Sequence, residues 1–110
     1  MPLTGRGKLT PLYDSGWLLS GATTHTFTHN LGVLPLLYSL LAADDANGTN
    51  PTPMLAGRFD SGATYYGAYE NGMSITQFSI RLMPDGYAYN GSAWYQRGTD
   101  YIRLLIWATE

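Results

Sequence analysis

Hydrophobic and polar residues alternate along this chain in short bursts, separated by Gly, Pro and Asn-Gly pairs at close intervals. Side chains of a strand point alternately to opposite faces, so a period of two marks a strand with one buried face. Thr24-His25-Thr26-Phe27-Thr28-His29 shows it most strictly, with threonines on one face and His25, Phe27 and His29 on the other. Ser74 to Met83 repeats it: Thr76, Phe78, Ile80 and Leu82 face one way, Ile75, Gln77, Ser79 and Arg81 the other. Tyr101 to Thr109 places Ile102, Leu104 and Ile106 inward and Tyr101, Arg103, Leu105 and Trp107 opposite. That second face is not polar, so the pattern predicts cover from a subunit interface or a loop.

The remaining segments are less regular. Leu12 to Leu19 reads as a strand broken at Ser15-Gly16, followed by a short turn at Ser20-Gly21-Ala22. Leu34 to Ala43 is almost wholly apolar and fits a buried helical turn or a central strand; Pro35 and the β-rich surroundings favour the strand. Asp44 to Gly57, with Asn47-Gly48, Pro51 and Pro53, predicts a long loop, and loops of that length are often functional. Arg58-Phe59-Asp60 and Ala63 to Tyr69 read as extended pieces, Glu70-Asn71-Gly72-Met73 as a hairpin turn by its Asn-Gly pair, and Pro84-Asp85-Gly86 as a second turn. Tyr87 to Gln96 is a further strand or structured loop. Together these predict an all-β fold, a six- to seven-stranded antiparallel β-sandwich over residues 12–110. Residues 1–10 are polar, with Gly5 and Gly7 and no periodicity, and residues 1–11 read as an extended N-terminal arm, with a frayed tail as the alternative.

Composition narrows the function. A chain of 110 residues allows one domain, and with no cysteine it has neither disulfide nor thiolate chemistry. Net charge is −2 with 13% charged residues, and the six cations are scattered, which argues against nucleic acid as a partner. The N-terminus has no apolar leader segment, and the apolar run Leu31–Ala43 is too short and too interrupted for membrane insertion. Asn47-Gly48-Thr49 and Asn90-Gly91-Ser92 read as turns rather than glycan acceptors. Nine tyrosines among the 14% aromatic residues give stiff contact area with a polar handle, at home in strands and at binding surfaces alike.

The residue types of catalysis are thinly spread. His25 and His29 share a face, but no third ligand has metal-site spacing, so a structural role for His29 is the better reading. Neither a Gly-x-Ser-x-Gly elbow nor a phosphate loop occurs, and Asp44-Asp45 lies outside any EF-hand pattern. We therefore expect a non-enzymatic protein without metal or cofactor. Carbohydrate binding suits the residues better, since sugar faces pack on aromatic rings while Asp, Asn and Arg take the hydroxyls. The candidate ligand-binding residues are Arg58, Asp60, Tyr65, Tyr66, Tyr87, Tyr89, Trp94 and Arg97. The competing reading makes Trp94 a core anchor and the tyrosines strand decoration.

Tyr13-Asp14-Ser15-Gly16-Trp17, followed after a gap by Phe27-Thr28-His29-Asn30-Leu31-Gly32 and Pro35, resembles a segment recurring in phage tail fibres and related virion proteins. The second half resembles the H-type lectin domain: a strand like Ile75-Thr76-Gln77-Phe78-Ser79-Ile80, then a segment bearing Trp94, then a closing strand like Ile102-Arg103-Leu104-Leu105-Ile106-Trp107-Ala108. The likeness spans residues 12–109. It implies a six-stranded sandwich that assembles as a trimer and binds sugar in the crevice between protomers through Asp, Arg and aromatic side chains. Those site positions are not carried onto this chain, and the Asp44–Gly57 loop departs from the compact family pattern. The resulting expectation is a virion protein, a tail-fibre or receptor-binding module recognising host-surface glycan as a homotrimer. The alternative is a capsid decoration or head-fibre protein docked through its arm. Expected partners are copies of itself, other virion proteins and cell-surface carbohydrate.

Overall fold

The alternating segments find one another as antiparallel partners. The computed structural model describes residues 10–21 and 23–108, and for 59–61 the backbone alone; most of the expected N-terminal arm, residues 1–9, lies outside the described residues. In chain order the strands are β1 (Tyr13–Asp14), β2 (Leu18–Leu19), β3 (Thr24–Thr28), β4 (Leu37–Ala43), β5 (Thr52–Pro53), β6 (Phe59–Ser61), β7 (Thr64–Tyr66), β8 (Ala68–Met73), β9 (Gln77–Leu82), β10 (Ala88–Tyr89), β11 (Trp94–Tyr95) and β12 (Tyr101–Trp107). No helix occurs among the described residues. The fold is all-β, and its sheets are antiparallel.

Two sheets carry the structure. The larger runs β1-β12-β4-β5, with β2 also on β12, and the smaller runs β3-β9-β8. The ambiguous apolar run resolves as a strand: β4 pairs with β12 along its whole length, from Leu37↔Trp107 to Ala43↔Tyr101. It starts only at Leu37, and Leu34 and Leu36 before it are exposed. The break expected at Ser15-Gly16 is present between β1 and β2, where Gly16 turns to a φ of 70°. There the Ser15 hydroxyl replaces a missing ladder bond by accepting from the Leu104 N–H at 2.8 Å.

The core follows the predicted alternation. Ile102, Leu104 and Ile106 of β12, with Leu40 and Ala42 of β4, meet Phe27 of β3 and Phe78, Ile80 and Leu82 of β9 in one apolar cluster. Burial of each Leu, Ile or Phe contributes about 1.5–3 kcal/mol, so each sheet covers the apolar face the other cannot leave in water. Rings close the rim. Tyr38 packs on Phe78 at 4.6 Å between centroids, and Tyr13 meets His29 edge-on at 6.3 Å.

The β8–β9 turn differs from expectation. Neither Asn71 nor Gly72 takes the left-handed conformation that a two-residue Asn-Gly turn requires. The pair is instead absorbed into β8 as a bulge, with Glu70 opposite Ile80 and Gly72 opposite Ser79. The chain reverses one step later, where the Ser74 N–H donates to the Gln77 carbonyl at 2.8 Å. The Ser74 hydroxyl accepts from the N–H groups of Thr76 and Gln77. His29 braces this turn: the Leu31 N–H donates to Nδ1, which leaves the proton on Nε2 to bond the Ser74 carbonyl at 3.1 Å.

The outer face of the larger sheet is apolar and only partly covered. Register places Leu37 beside Trp107 and Leu19 beside Tyr101, and Leu12, Leu19 and Leu37 are 44%, 55% and 55% exposed. Its central charge is internally neutralised, because Arg103 forks onto both carboxylate oxygens of Asp14. That pairing holds the Asp14 carboxyl below the usual carboxylate range. At one corner the loop after β4 crosses Trp17, and Gly48 packs so closely that a Cβ there would lie 2.6 Å from the indole nitrogen.

Candidate functional site

Two hairpins and one loop build the site. The β10–β11 hairpin reverses through Asn90, whose Oδ1 accepts from the Ser92 N–H, the Ser92 hydroxyl and the Ala93 N–H. This side-chain turn presents Tyr89 and Trp94 directly opposite each other. The β6–β7 hairpin brings Tyr66 to the same place. Tyr66 stacks on Trp94 at 4.3 Å and an interplanar angle of 22°, while Tyr89 leans on Trp94 at 5.1 Å and 44°. Trp94 therefore links two tyrosine rings in one aromatic cluster, and Tyr89 is 46% exposed.

Backbone geometry makes room for that cluster. Gly86 has a φ of 139°, and a Cβ there would sit 2.6 Å from the Trp94 Cβ. Asp85 fixes the neighbouring hairpin, its Oδ2 accepting from the Tyr65 N–H at 2.7 Å. Beside the rings, Arg58 lies over the face of Tyr65, 4.8 Å from its centroid. Asp60 pairs with Tyr65 in the backbone ladder; its side chain lies outside the described residues.

Two candidate positions fall elsewhere. Tyr87 is fully buried, so it is a core residue and cannot meet a ligand at the surface. Its phenol oxygen bonds the Asp100 carboxyl and lies 2.7 Å from the Ser20 hydroxyl, and that hydroxyl donates to Asp100 Oδ1 at 3.1 Å. Burial pushes Asp100 above the usual carboxylate range despite these bonds. It also pushes the Tyr87 phenol well up, helped by the Asp100 hydrogen bond. Arg97 is committed to the Thr23 hydroxyl. The structure thus brings Tyr66, Tyr89 and Trp94 together, sets Arg58 beside Tyr65 at the same β6–β7 hairpin that carries Tyr66, and places Tyr87 in the core.

The expected long loop is partly ordered as sheet. Thr52–Pro53 forms β5 against β4, Met54 bridges to Ala88, and the Leu55 N–H donates to the Tyr87 carbonyl at 2.9 Å. Between this segment and the β10–β11 hairpin lies an open cleft of about 540 Å³, bordered by Asn50, Thr52, Pro53, Tyr89, Asn90 and Ser92. Sequence reasoning singled out Tyr89 but not Asn50 or Ser92. The signal for Asn50 is its place amid Gly and Pro residues: it adopts a φ of 54°, which Asn tolerates better than most residues. Among the described residues no group of three or more His, Asp or Glu side chains is placed to hold a metal ion. The chain matches no protein-family model and no curated protein.

Proposed function

We propose that this protein is a non-enzymatic, carbohydrate-recognising module of a virion surface, folded as a β-sandwich of the H-type lectin kind and working as a trimer. The observation that carries the reading is the partly exposed Tyr66–Trp94–Tyr89 cluster, set on two hairpins of a domain with 13% charged residues. Stiff rings offer apolar area at little entropic cost and suit the C–H faces of a sugar. The tail-fibre-like segment from Tyr13 to Pro35 supports the virion setting, and the partly covered apolar sheet face around Leu37 and Leu19 supports self-association.

One such site binds weakly. Three copies on a rigid assembly gain roughly 10²–10⁴ in avidity without new contacts. Light scattering on the full chain and on a chain lacking residues 1–10, followed by a glycan array, tests the reading. A trimer in both cases, with array binding lost in Trp94→Ala, is the expected result. Equal glycan affinity from monomer and trimer removes the avidity mechanism. A monomer that binds no glycan overturns the reading and favours a capsid decoration or head-fibre protein, for which the same apolar face would meet another virion protein.

A further inference from the structure

Resting on the carbohydrate reading, the geometry points to one ligand seat within a single protomer: the cleft between the Asn50–Pro53 segment and the β10–β11 hairpin, which takes an uncharged ligand bearing adjacent hydroxyls. This seat is separate from the Arg58–Tyr65 pair and needs no second copy of the chain to complete it.

The side chains at the cleft are held in advance. Asn90 Oδ1 is occupied by its three turn bonds, so the group Asn90 has left to offer is the Nδ2 donor. Asn50 is the reverse: its Nδ2 donates to Asp44 Oδ2 at 2.8 Å, leaving Oδ1 as an acceptor. A hydroxyl both donates and accepts, so a fixed donor on one wall and a fixed acceptor on the other match a pair of neighbouring hydroxyls. Tyr89, backed by Trp94, supplies a ring for the ligand's C–H face.

The two walls are also tied to each other. The Tyr95 hydroxyl on β11 donates to the Asn50 carbonyl at 2.8 Å, across 45 residues of sequence. A seat ordered before binding loses less entropy when the ligand arrives. Asn50, Thr52, Asn90 and Ser92 are uncharged, and Tyr89 adds only a phenol. The cleft therefore offers an acidic sugar no ion pair, and salt has little attraction to screen there.

The test is a ¹H–¹⁵N NMR titration of the full chain with glucose, galactose, N-acetylglucosamine and N-acetylneuraminic acid, at low and high salt. The expected result is that a neutral sugar shifts the amides of Asn90, Ser92, Ala93 and Asn50 equally at both salt concentrations. Tyr89→Ala should abolish the shifts. Asn50→Gly, which keeps the left-handed backbone and removes the amide, should weaken them at least tenfold. Shifts confined to Arg58 and Tyr65, strongest with N-acetylneuraminic acid, overturn the cleft while leaving carbohydrate recognition standing. If no sugar moves any signal, the cleft and the carbohydrate reading fall together.

Discussion

The phenol of Tyr87 and the carboxyl of Asp100 are hydrogen-bonded in the buried interior, with Ser20 contacting both. Both hydroxyls donate to Asp100 and favour its ionised form, yet burial pushes the carboxyl above the usual carboxylate range. Asp100→Asn keeps the shape and one acceptor of the carboxyl and should lose less stability in urea denaturation than Asp100→Ala. Asp100→Ala strands buried hydroxyls and should lose about 1–3 kcal/mol. Equal losses in the two variants would count against hydrogen bonding as the source of the effect.

Two carboxyls give stability opposite dependences on pH. Asp100 is raised, so the folded state holds its proton more tightly than the unfolded chain. Its contribution is full below the unfolded value of about 3.9 and declines as pH rises through the folded value. Asp14 is lowered, first by its hydrogen bonds to Arg103, so its contribution is present above about 3.9 and lost as pH falls through the folded value. Denaturation midpoints measured across pH should lose the acid-side decline in Asp14→Asn and the higher window in Asp100→Asn. Unchanged profiles in both variants would count against these assignments.

Gly86→Ala should be among the most damaging single-methyl changes in the domain. The positive φ disfavours alanine by about 1–3 kcal/mol, and overlap with Trp94 adds a further loss of about 1–3 kcal/mol. The clash is with the Trp94 Cβ, so Trp94→Ala cannot relieve it, whereas Trp94→Gly can. A double-mutant cycle by denaturation should therefore show coupling between Gly86→Ala and Trp94→Gly and little between Gly86→Ala and Trp94→Ala. Full additivity in both cycles would remove the clash as the cause.

His29→Ala removes the acceptor for the Leu31 N–H and the donor to the Ser74 carbonyl together. The expected loss is about 1–3 kcal/mol, with faster amide exchange concentrated at Leu31. Exchange rising evenly over the whole domain would contradict this local role.

The sheets were legible because burial and period coincide. Phe78, Ile80 and Leu82, like Ile102, Leu104 and Ile106, are fully buried at alternate positions, and nothing nearby competes with that pattern. The β8–β9 turn was not, because Asn71-Gly72 carries a strong local signal. It lost to a Ser74 hydroxyl satisfying two N–H groups, backed by His29 from 45 residues away.

The site was half legible. Tyr89, Trp94 and Tyr66 announce themselves by type, but Tyr87 looked equivalent to them in sequence. It lies in the apolar core, where its phenol meets a hydroxyl 67 residues earlier and a carboxyl 13 residues later. The cleft was hidden for the same reason, since Asn50 and Asn90 become neighbours only once β5 joins β4 and Met54 bridges to Ala88.

Gly48 resting on the indole of Trp17 gives the protein an optical probe of its own. The segment that packs there leads within two residues to Asn50, so displacement of that wall changes what surrounds the indole nitrogen, and indole emission responds to such a change. In a variant with Trp94 and Trp107 replaced by Phe, fluorescence from Trp17 alone follows the loop in real time without an added label.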